Sequence, residues 1–227
     1  MKNGKLYGVG VGPGDPELMT VKAVRLLSEA DVIAVPDKGS GEKTALTIAR
    51  PYIGEKPVLL CRTPMIRDPE ELDRGYEAAA DQICAELDRG RTVVFLTLGD
   101  PTVYSTFLYI HKKVRGRGYD SELVPGVPSF CAVAARLGEP LCERRERLMI
   151  IPGGSDVSDI LGTEGSKVFM KSGSSILQLQ EQLRQAGLLD RAMAVENCSM
   201  AGERVWEHFG DMDEPSGYFC TVLLRES

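Results

Sequence analysis

Hydrophobic positions along the chain change period repeatedly, and the changes divide it into alternating strands and helices. Short apolar runs at Lys5–Val9, Val32–Val35, Pro57–Cys61 and Thr92–Leu98 read as strands. The last is apolar almost throughout, the pattern of a strand buried on both faces. Between the first two, Leu18, Val21, Val24 and Leu27 recur at helical spacing and predict a helix that runs to about Ala30. Asp15 is placed to cap it, with Pro16 at its first position. Pro36 is expected to end the second strand, and the Gly- and Lys-rich segment 37–43 reads as a loop. Thr44–Tyr52 and the amphipathic Glu70–Asp88 are further helices, the second closed by Arg89-Gly90, where glycine suits a left-handed cap. After Gly99-Asp100-Pro101 a helix runs to about Val114. Glu122–Val124 is a strand, and Pro125-Gly126 turns it into the helix Ser129–Leu137.

From Leu148 the pattern restarts: strand Leu148–Ile151, helix Val157–Leu161, strand Lys167–Met170, helix Ile176–Ala186, strand Ala192–Val195. A final apolar strand, Tyr218–Leu224, has neighbours that look hairpin-like. Such alternation predicts an α/β protein, dividing near residue 123 into an N-terminal α/β domain, 1–123, and a C-terminal one, 124–227. No internal repeat stands out.

Composition narrows the class only a little. The chain has 227 residues, 43% hydrophobic and 26% charged, ordinary for a globular enzyme. No apolar run approaches the roughly 20 residues needed to span a bilayer, and MKNGKLYGVGVGPGD meets Gly, Pro and Asp before a signal-like stretch develops. A cytoplasmic protein without a membrane partner is expected. A net charge of −6 argues against nucleic acid, whose bulk affinity comes from cations that displace counterions. The six cysteines lack any C-x-x-C pair and read as reduced packing residues. With His111 and His208 the only imidazoles, and both reading as structural, no dedicated metal site is expected.

In open parallel sheets ligands sit at the carboxyl ends of strands, where glycine lets backbone approach closely. Gly10–Asp15, Leu98–Tyr104 and Pro125–Ser129 fit that rule. A dinucleotide fingerprint is incomplete, because Pro13 stands where the third glycine of G-x-G-x-x-G belongs, and Asp15 would repel a pyrophosphate at the helix start. Asp37 lies about where a ribose-binding acid would, which keeps a dinucleotide-dependent oxidoreductase as an alternative. No G-K-[ST] follows either loop, so a P-loop is excluded. A cationic nucleoside without phosphates, such as S-adenosylmethionine, suits acid-bearing glycine loops. Asp15 and Asp100 also read simply as caps, each preceding a proline.

Taken in order, GVGPGDPELMTVKAVRLLSEADVIAVP, VVFLTLGDPTVYSTFLYI, ELVPGVPSFCAVAARLGEPL, KVFMKSG and AVENCS resemble the tetrapyrrole (corrin and porphyrin) methylase family over nearly the whole chain. The resemblance implies two α/β domains with S-adenosylmethionine in the cleft between them, and a homodimer. Within the family, LTLGDPTVYSTF, PDKGSGEKTALTIA and Thr63-Pro64-Met65 resemble the precorrin-2 C20-methyltransferases of cobalamin synthesis. Uroporphyrinogen methylases typically carry Tyr-Asp where this chain has Val35-Pro36. The implied activity is methylation of C20 of precorrin-2 or cobalt-precorrin-2. Methylation at C11 or C17 is the alternative within the family, and a non-catalytic tetrapyrrole-binding protein is one outside it.

The resemblance further implies cofactor contacts at Pro13, Pro36, Leu98, Gly99, Asp100, Val103, Pro128, Ser129, Met170 and Cys198. Cys198 stands where relatives often have Gly, and Pro128 where they often have Thr. Met170, taken alone, reads as core. Tyr104, Ser105 and Thr106 follow the second loop and would shape the cleft. Asp100, Tyr104 and Glu196 are candidate bases, although Glu196 also reads as a structural or solvent-facing carboxylate. A substrate rich in carboxylates calls for cations, and Lys38, Lys43, Arg62 and Arg67 lie on suitable loops. Arg144, Arg145 and Arg147 read as a solvated face.

Overall fold

A computed structural model describes residues 4–37, 43–63 and 68–226. It falls into two compact units, Met1–Pro128 and Ser129–Ser227. In the first, strands β1 (Lys5–Gly10), β2 (Val32–Asp37), β3 (Val58–Arg62), β4 (Val93–Thr97) and β5 (Asp120–Val124) form one sheet in the order β3-β2-β4-β1-β5. Every pairing is parallel. All five residues of β4 are buried, as its unbroken apolar run requires.

Helices α1 (Val21–Glu29) and α2 (Thr44–Ile53) cover one face, where Leu26, Leu27, Ile48 and Ala49 pack with Val9, Ile33, Val94 and Leu96. Helices α3 (Pro69–Asp88) and α4 (Phe107–Gly116) cover the other, where Ile83, Leu87, Phe107 and Ile110 pack with Leu6, Ala34, Val93 and Phe95. A Cβ on Gly8 would lie 1.8 Å from the Phe107 ring. Glycine there lets the start of α4 rest directly on β1, with Phe107 5.1 Å from Phe95.

Two local expectations change. The helix expected from Asp15 is interrupted: Asp15 caps a single 3-10 turn, Pro16–Leu18, accepting from Glu17 N–H at 2.8 Å. Thr20 then caps α1, accepting from Ala23 N–H at 3.1 Å. A second capping hydroxyl so close behind the first restarts the helix. Pro36 lies within β2 rather than ending it. Pairing of β2 with β4 stops at Ala34, whereas pairing with β3 continues to Asp37. Val32 N–H points toward β4 and Ile33 N–H toward β3, so by alternation the nitrogen of Pro36 faces the side that has no ladder to lose.

The second unit begins with helix α5 (Ser129–Leu137) and holds β6 (Leu148–Pro152), β7 (Ser166–Met170), α6 (Ile176–Gln185), β8 (Ala192–Glu196), β9 (Arg204–Trp206) and β10 (Cys220–Leu224). Its sheet runs β6-β7-β10-β8-β9, with β10 antiparallel to both neighbours and β8–β9 also antiparallel. The hairpin-like surroundings expected for the last strand are therefore present, although the three-residue β9 was too short to show a period. Helix α6 covers the face carrying Ile151, Phe169, Ala194 and Val222, and α5 packs on β8 and β10. The helix expected over Val157–Leu161 is instead a run of turns. Five residues are too few to nucleate an isolated helix, and Asp156 turns the chain by accepting from the N–H and hydroxyl of Ser158 at 3.0 and 2.7 Å. Val157 and Leu161 still bury their side chains in the core.

All six cysteines are free. Among the described residues no helix is long and apolar enough to cross a membrane, and no group of three or more His, Cys, Asp or Glu side chains could hold a metal ion.

Candidate functional site

At the carboxyl edge of the first sheet β1 ends on Gly10 and β4 on Thr97, side by side. The chains beyond them stay joined. Val11 N–H donates to Thr97 O at 2.9 Å, and Gly12 and Gly99 form an antiparallel bridge with Gly99 N–H donating to Gly12 O at 2.8 Å. Both glycines have left-handed backbone, φ +79° and +69°, which side chains resist. Gly126, beyond β5, closes the group. A Cβ on Gly10 would lie 2.5 Å from Gly99 O and 2.7 Å from Gly126 N; one on Gly126 would lie 2.3 Å from Gly99 O. Three loops thus cross backbone to backbone at glycines. The glycine after β1 serves this crossing, not a dinucleotide turn.

Asp100 holds the crossing. It is 8% exposed. Its Oδ1 accepts from Thr102 N–H at 2.7 Å and from the Thr102 hydroxyl, and Oδ2 accepts from Gly126 N–H at 3.0 Å. One carboxylate therefore caps its own turn and ties the β4 loop to the β5 loop. Tyr104, at the end of the turn, takes left-handed backbone (φ +47°) and is 43% exposed. Ser105 accepts from Phe107 N–H at 3.1 Å and so starts α4.

Within this unit the structure brings together Pro13, Leu98, Gly99, Asp100 and Val103 on the paired β1 and β4 loops, with Pro36 near the end of the adjacent β2. Pro128 follows the Gly126 loop. Lys43 pairs with Asp37 at 3.4 Å, and Arg62 ends β3 with its side chain exposed. Lys38 and Arg67, like Pro64 and Met65, lie outside the described residues. Two features escaped the sequence reading. Gly126 looked only like a turn glycine, although its place after a strand was the available signal. Thr97, at the end of β4, and Thr63, just past β3, have buried hydroxyls with no hydrogen-bond partner among the described residues; nothing local marks them.

In the second unit Ser129 opens α5, Met170 ends β7 and is buried, and Cys198 follows β8. Met170 and Val195 both pair with Thr221 of β10, so the ends of β7 and β8 lie level on either side of it. Lys171, Asn197 and Ser199 just beyond them are all left-handed, at φ +59°, +51° and +62°. Non-glycine residues held this way concentrate at functional sites. The buried Cys198 thiol is pushed up by desolvation, with a smaller opposing effect from Ser199.

Glu196 is 4% exposed. Its Oε2 accepts from Arg204 Nε at 2.7 Å, and Oε1 accepts from Gly217 N–H. Arg204 in turn lies over the Trp206 ring at 4.9 Å. Both oxygens have internal partners, which is the arrangement of a structural carboxylate. Glu196→Gln is expected to lower stability by about 1–3 kcal/mol while leaving the pH–rate profile unshifted. Chemical denaturation and initial rates across pH check both. A profile that loses one limb makes Glu196 a base after all.

The family model of the tetrapyrrole (corrin/porphyrin) methylases matches residues 5–212. The cobalt-precorrin-2 C(20)-methyltransferase of Salmonella typhimurium is 36% identical, over 99% of this chain and 97% of that protein. The precorrin-2 C(20)-methyltransferase of a Sinorhizobium species is 31% identical, over 97% and 95%. The fold is similar to that of uroporphyrin-III C-methyltransferase from Thermus thermophilus, solved with S-adenosyl homocysteine, at a TM-score of 0.71 and 24% identity over 97% of each chain.

Proposed function

The chain belongs to the tetrapyrrole (corrin/porphyrin) methylases and is a methyltransferase; from that premise we propose that it transfers a methyl group from S-adenosylmethionine to C20 of precorrin-2 or its cobalt-bound form, in the cytoplasm. The observation that carries the reading is identity above 30% to C20-methyltransferases along almost the full length of both chains.

The residues at the carboxyl edge of the first sheet fit the cofactor. Gly10, Gly12, Gly99 and Gly126 leave backbone groups bare where any Cβ would intrude or strain. Thr97 presents a buried hydroxyl without a partner among the described residues, a group whose desolvation a ligand would repay. A buried carboxylate at Asp100 suits a sulfonium and disfavours a phosphate. Pro13, Pro36, Leu98, Gly99, Asp100 and Val103 are proposed to hold it, with Pro128, Ser129, Met170 and Cys198 as the further contacts that the resemblance implies. When bound, the cofactor supplies an electrophilic methyl on a good leaving group.

The chain's own task is then alignment, where orientation alone contributes several kcal/mol, on the order of 7–11 in well-oriented systems. Asp100 acts here by position, fixing the loops that carry the contacts. Of the three candidate bases, Asp100 and Glu196 have both oxygens in internal hydrogen bonds. Tyr104 is the one that retains substantial exposure, and we propose that its side chain meets the substrate. Arg62 and Lys43 remain the described cations proposed to meet substrate carboxylates.

Anaerobic incubation with S-adenosylmethionine and precorrin-2, with and without inserted cobalt, should add one methyl group by mass, and NMR should place it on C20. A methyl on another ring carbon removes the positional assignment. Binding of NAD without binding of S-adenosylhomocysteine, by calorimetry, removes the cofactor assignment.

A further inference from the structure

Lys171 leaves β7 in a setting that works against its own side chain. Its backbone is left-handed, at φ +59°. Asn197, in the same conformation at the β8 exit, belongs to a residue type that tolerates it, whereas lysine does not. Packing imposes the conformation. Gly153 N–H, in the loop after β6, donates to Met170 O at 2.5 Å, and a Cβ on Gly153 would lie 2.4 Å from Lys171 O. That loop therefore presses directly on the Lys171 peptide. Burial also pushes the Lys171 ammonium below the usual lysine range, because desolvation disfavours its charged form. A glycine here would avoid both penalties, so neither the backbone nor the burial accounts for a lysine.

The ammonium is seated on an aromatic ring. Lys171 Nζ lies over the Tyr218 ring, 5.7 Å from its centroid. Several contacts fix that ring. Phe219 meets it edge-on, with centroids 5.3 Å apart. Gly217, just before it, donates its N–H to Glu196 Oε1. Gly217 O in turn closes on Gly173, where a Cβ would lie 2.3 Å away. Thr221 pairs with Met170, so the antiparallel ladder brings the residues before β10 to the edge where β7 ends. A ring face attracts a cation through its quadrupole but carries no net charge. Other cations of the unit are committed to carboxylates: Arg204 to Glu196 at 2.7 Å and Arg136 to Glu203 at 2.6 Å.

We propose that Lys171, held over Tyr218, receives a carboxylate of the tetrapyrrole substrate and so orients the macrocycle. Tyr218 is then a positioning residue. The assignment rests on the reading of the chain as a tetrapyrrole methyltransferase, but not on C20 as the carbon methylated. A carboxylate is held more strongly by a half-buried ammonium than by one in water. The carboxylate of the cofactor fits less well, because that molecule also carries an ammonium and a sulfonium, which a lysine repels.

Initial rates of the full chain with its tetrapyrrole, and calorimetry with S-adenosylhomocysteine, test this. Lys171→Met should raise the KM for the tetrapyrrole by about tenfold or more and leave S-adenosylhomocysteine affinity unchanged. Lys171→Arg, which keeps the charge, should restore most of the loss. Lys171→Gly should raise KM as methionine does, yet raise the melting temperature, since it removes the left-handed strain and the buried charge. Tyr218→Leu should raise KM by less. An unchanged KM in both the methionine and glycine variants overturns the proposal. So does an arginine variant as impaired as methionine, or a loss of S-adenosylhomocysteine affinity while KM holds. If the methyl lands on a carbon other than C20 and Lys171→Met still raises KM, the positional assignment falls and this one stands.

Discussion

Gly126→Ala should lower stability by about 3 kcal/mol and weaken S-adenosylhomocysteine binding at least tenfold, whereas Gly116→Ala should do neither. Gly126 has no left-handed backbone to lose, so the whole effect comes from space. Its Cβ would sit 2.3 Å from Gly99 O and 2.8 Å from Gly10 Cα. Both obstacles are backbone, which has no rotamer to change, so one of the three loops must move. A Cβ on Gly116, at the end of α4, meets nothing within 4 Å, and alanine there should stabilise slightly. Urea denaturation and calorimetry on the two variants decide the matter. Equal behaviour would mean that the crossing of the β1, β4 and β5 loops is not what holds the proposed cofactor residues in place.

Asp100→Ala is expected to have the next largest effect, about 2–4 kcal/mol. It removes the acceptor for Thr102 N–H and the Thr102 hydroxyl, and leaves Gly126 N–H without its carboxylate. Asp100→Asn separates two roles. An asparagine can still accept from Thr102 through its oxygen but then offers an NH2 to the N–H of Gly126, a donor facing a donor. If Asp100 acts by position, the asparagine variant loses S-adenosylhomocysteine affinity, by about tenfold, and turnover falls with it. If it is instead a base, turnover collapses while affinity stays level. Measuring Kd and kcat on the same variant distinguishes the two.

Much of the fold could be read directly along the chain, because parallel strands buried on both faces and amphipathic helices each carry their own period. β4 is apolar at nearly every position, and α5 was placed at its observed ends. Misreadings occurred where a short-range signal had two outcomes. Asp15-Pro16 is a sound cap in either case, and only the second cap at Thr20 decides that it opens one 3-10 turn instead of a helix. Pro36 looked like a strand end because a proline lacks an N–H. Which side of the strand that nitrogen faces is decided by register with β3 and β4, and register is not a local property.

The candidate site shows the same division. Residue order alone marked the glycine loops after β1 and β4, the acidic residues in them, and the resemblance to the tetrapyrrole methylases, since these depend on neighbours a few positions apart. The tertiary structure alone decided what those residues touch. Gly10, Gly99 and Gly126 meet although nearly 90 positions separate the first two. Asp100 finds its second partner 26 positions away, and Glu196 finds Gly217 21 away. The physical reason is that strand pairing and loop crossing are set by chain closure over long separations, where each side chain's own preference has no part. Sequence could therefore name candidate residues, and packing determined that two of the three candidate bases, Asp100 and Glu196, have both carboxylate oxygens in internal hydrogen bonds.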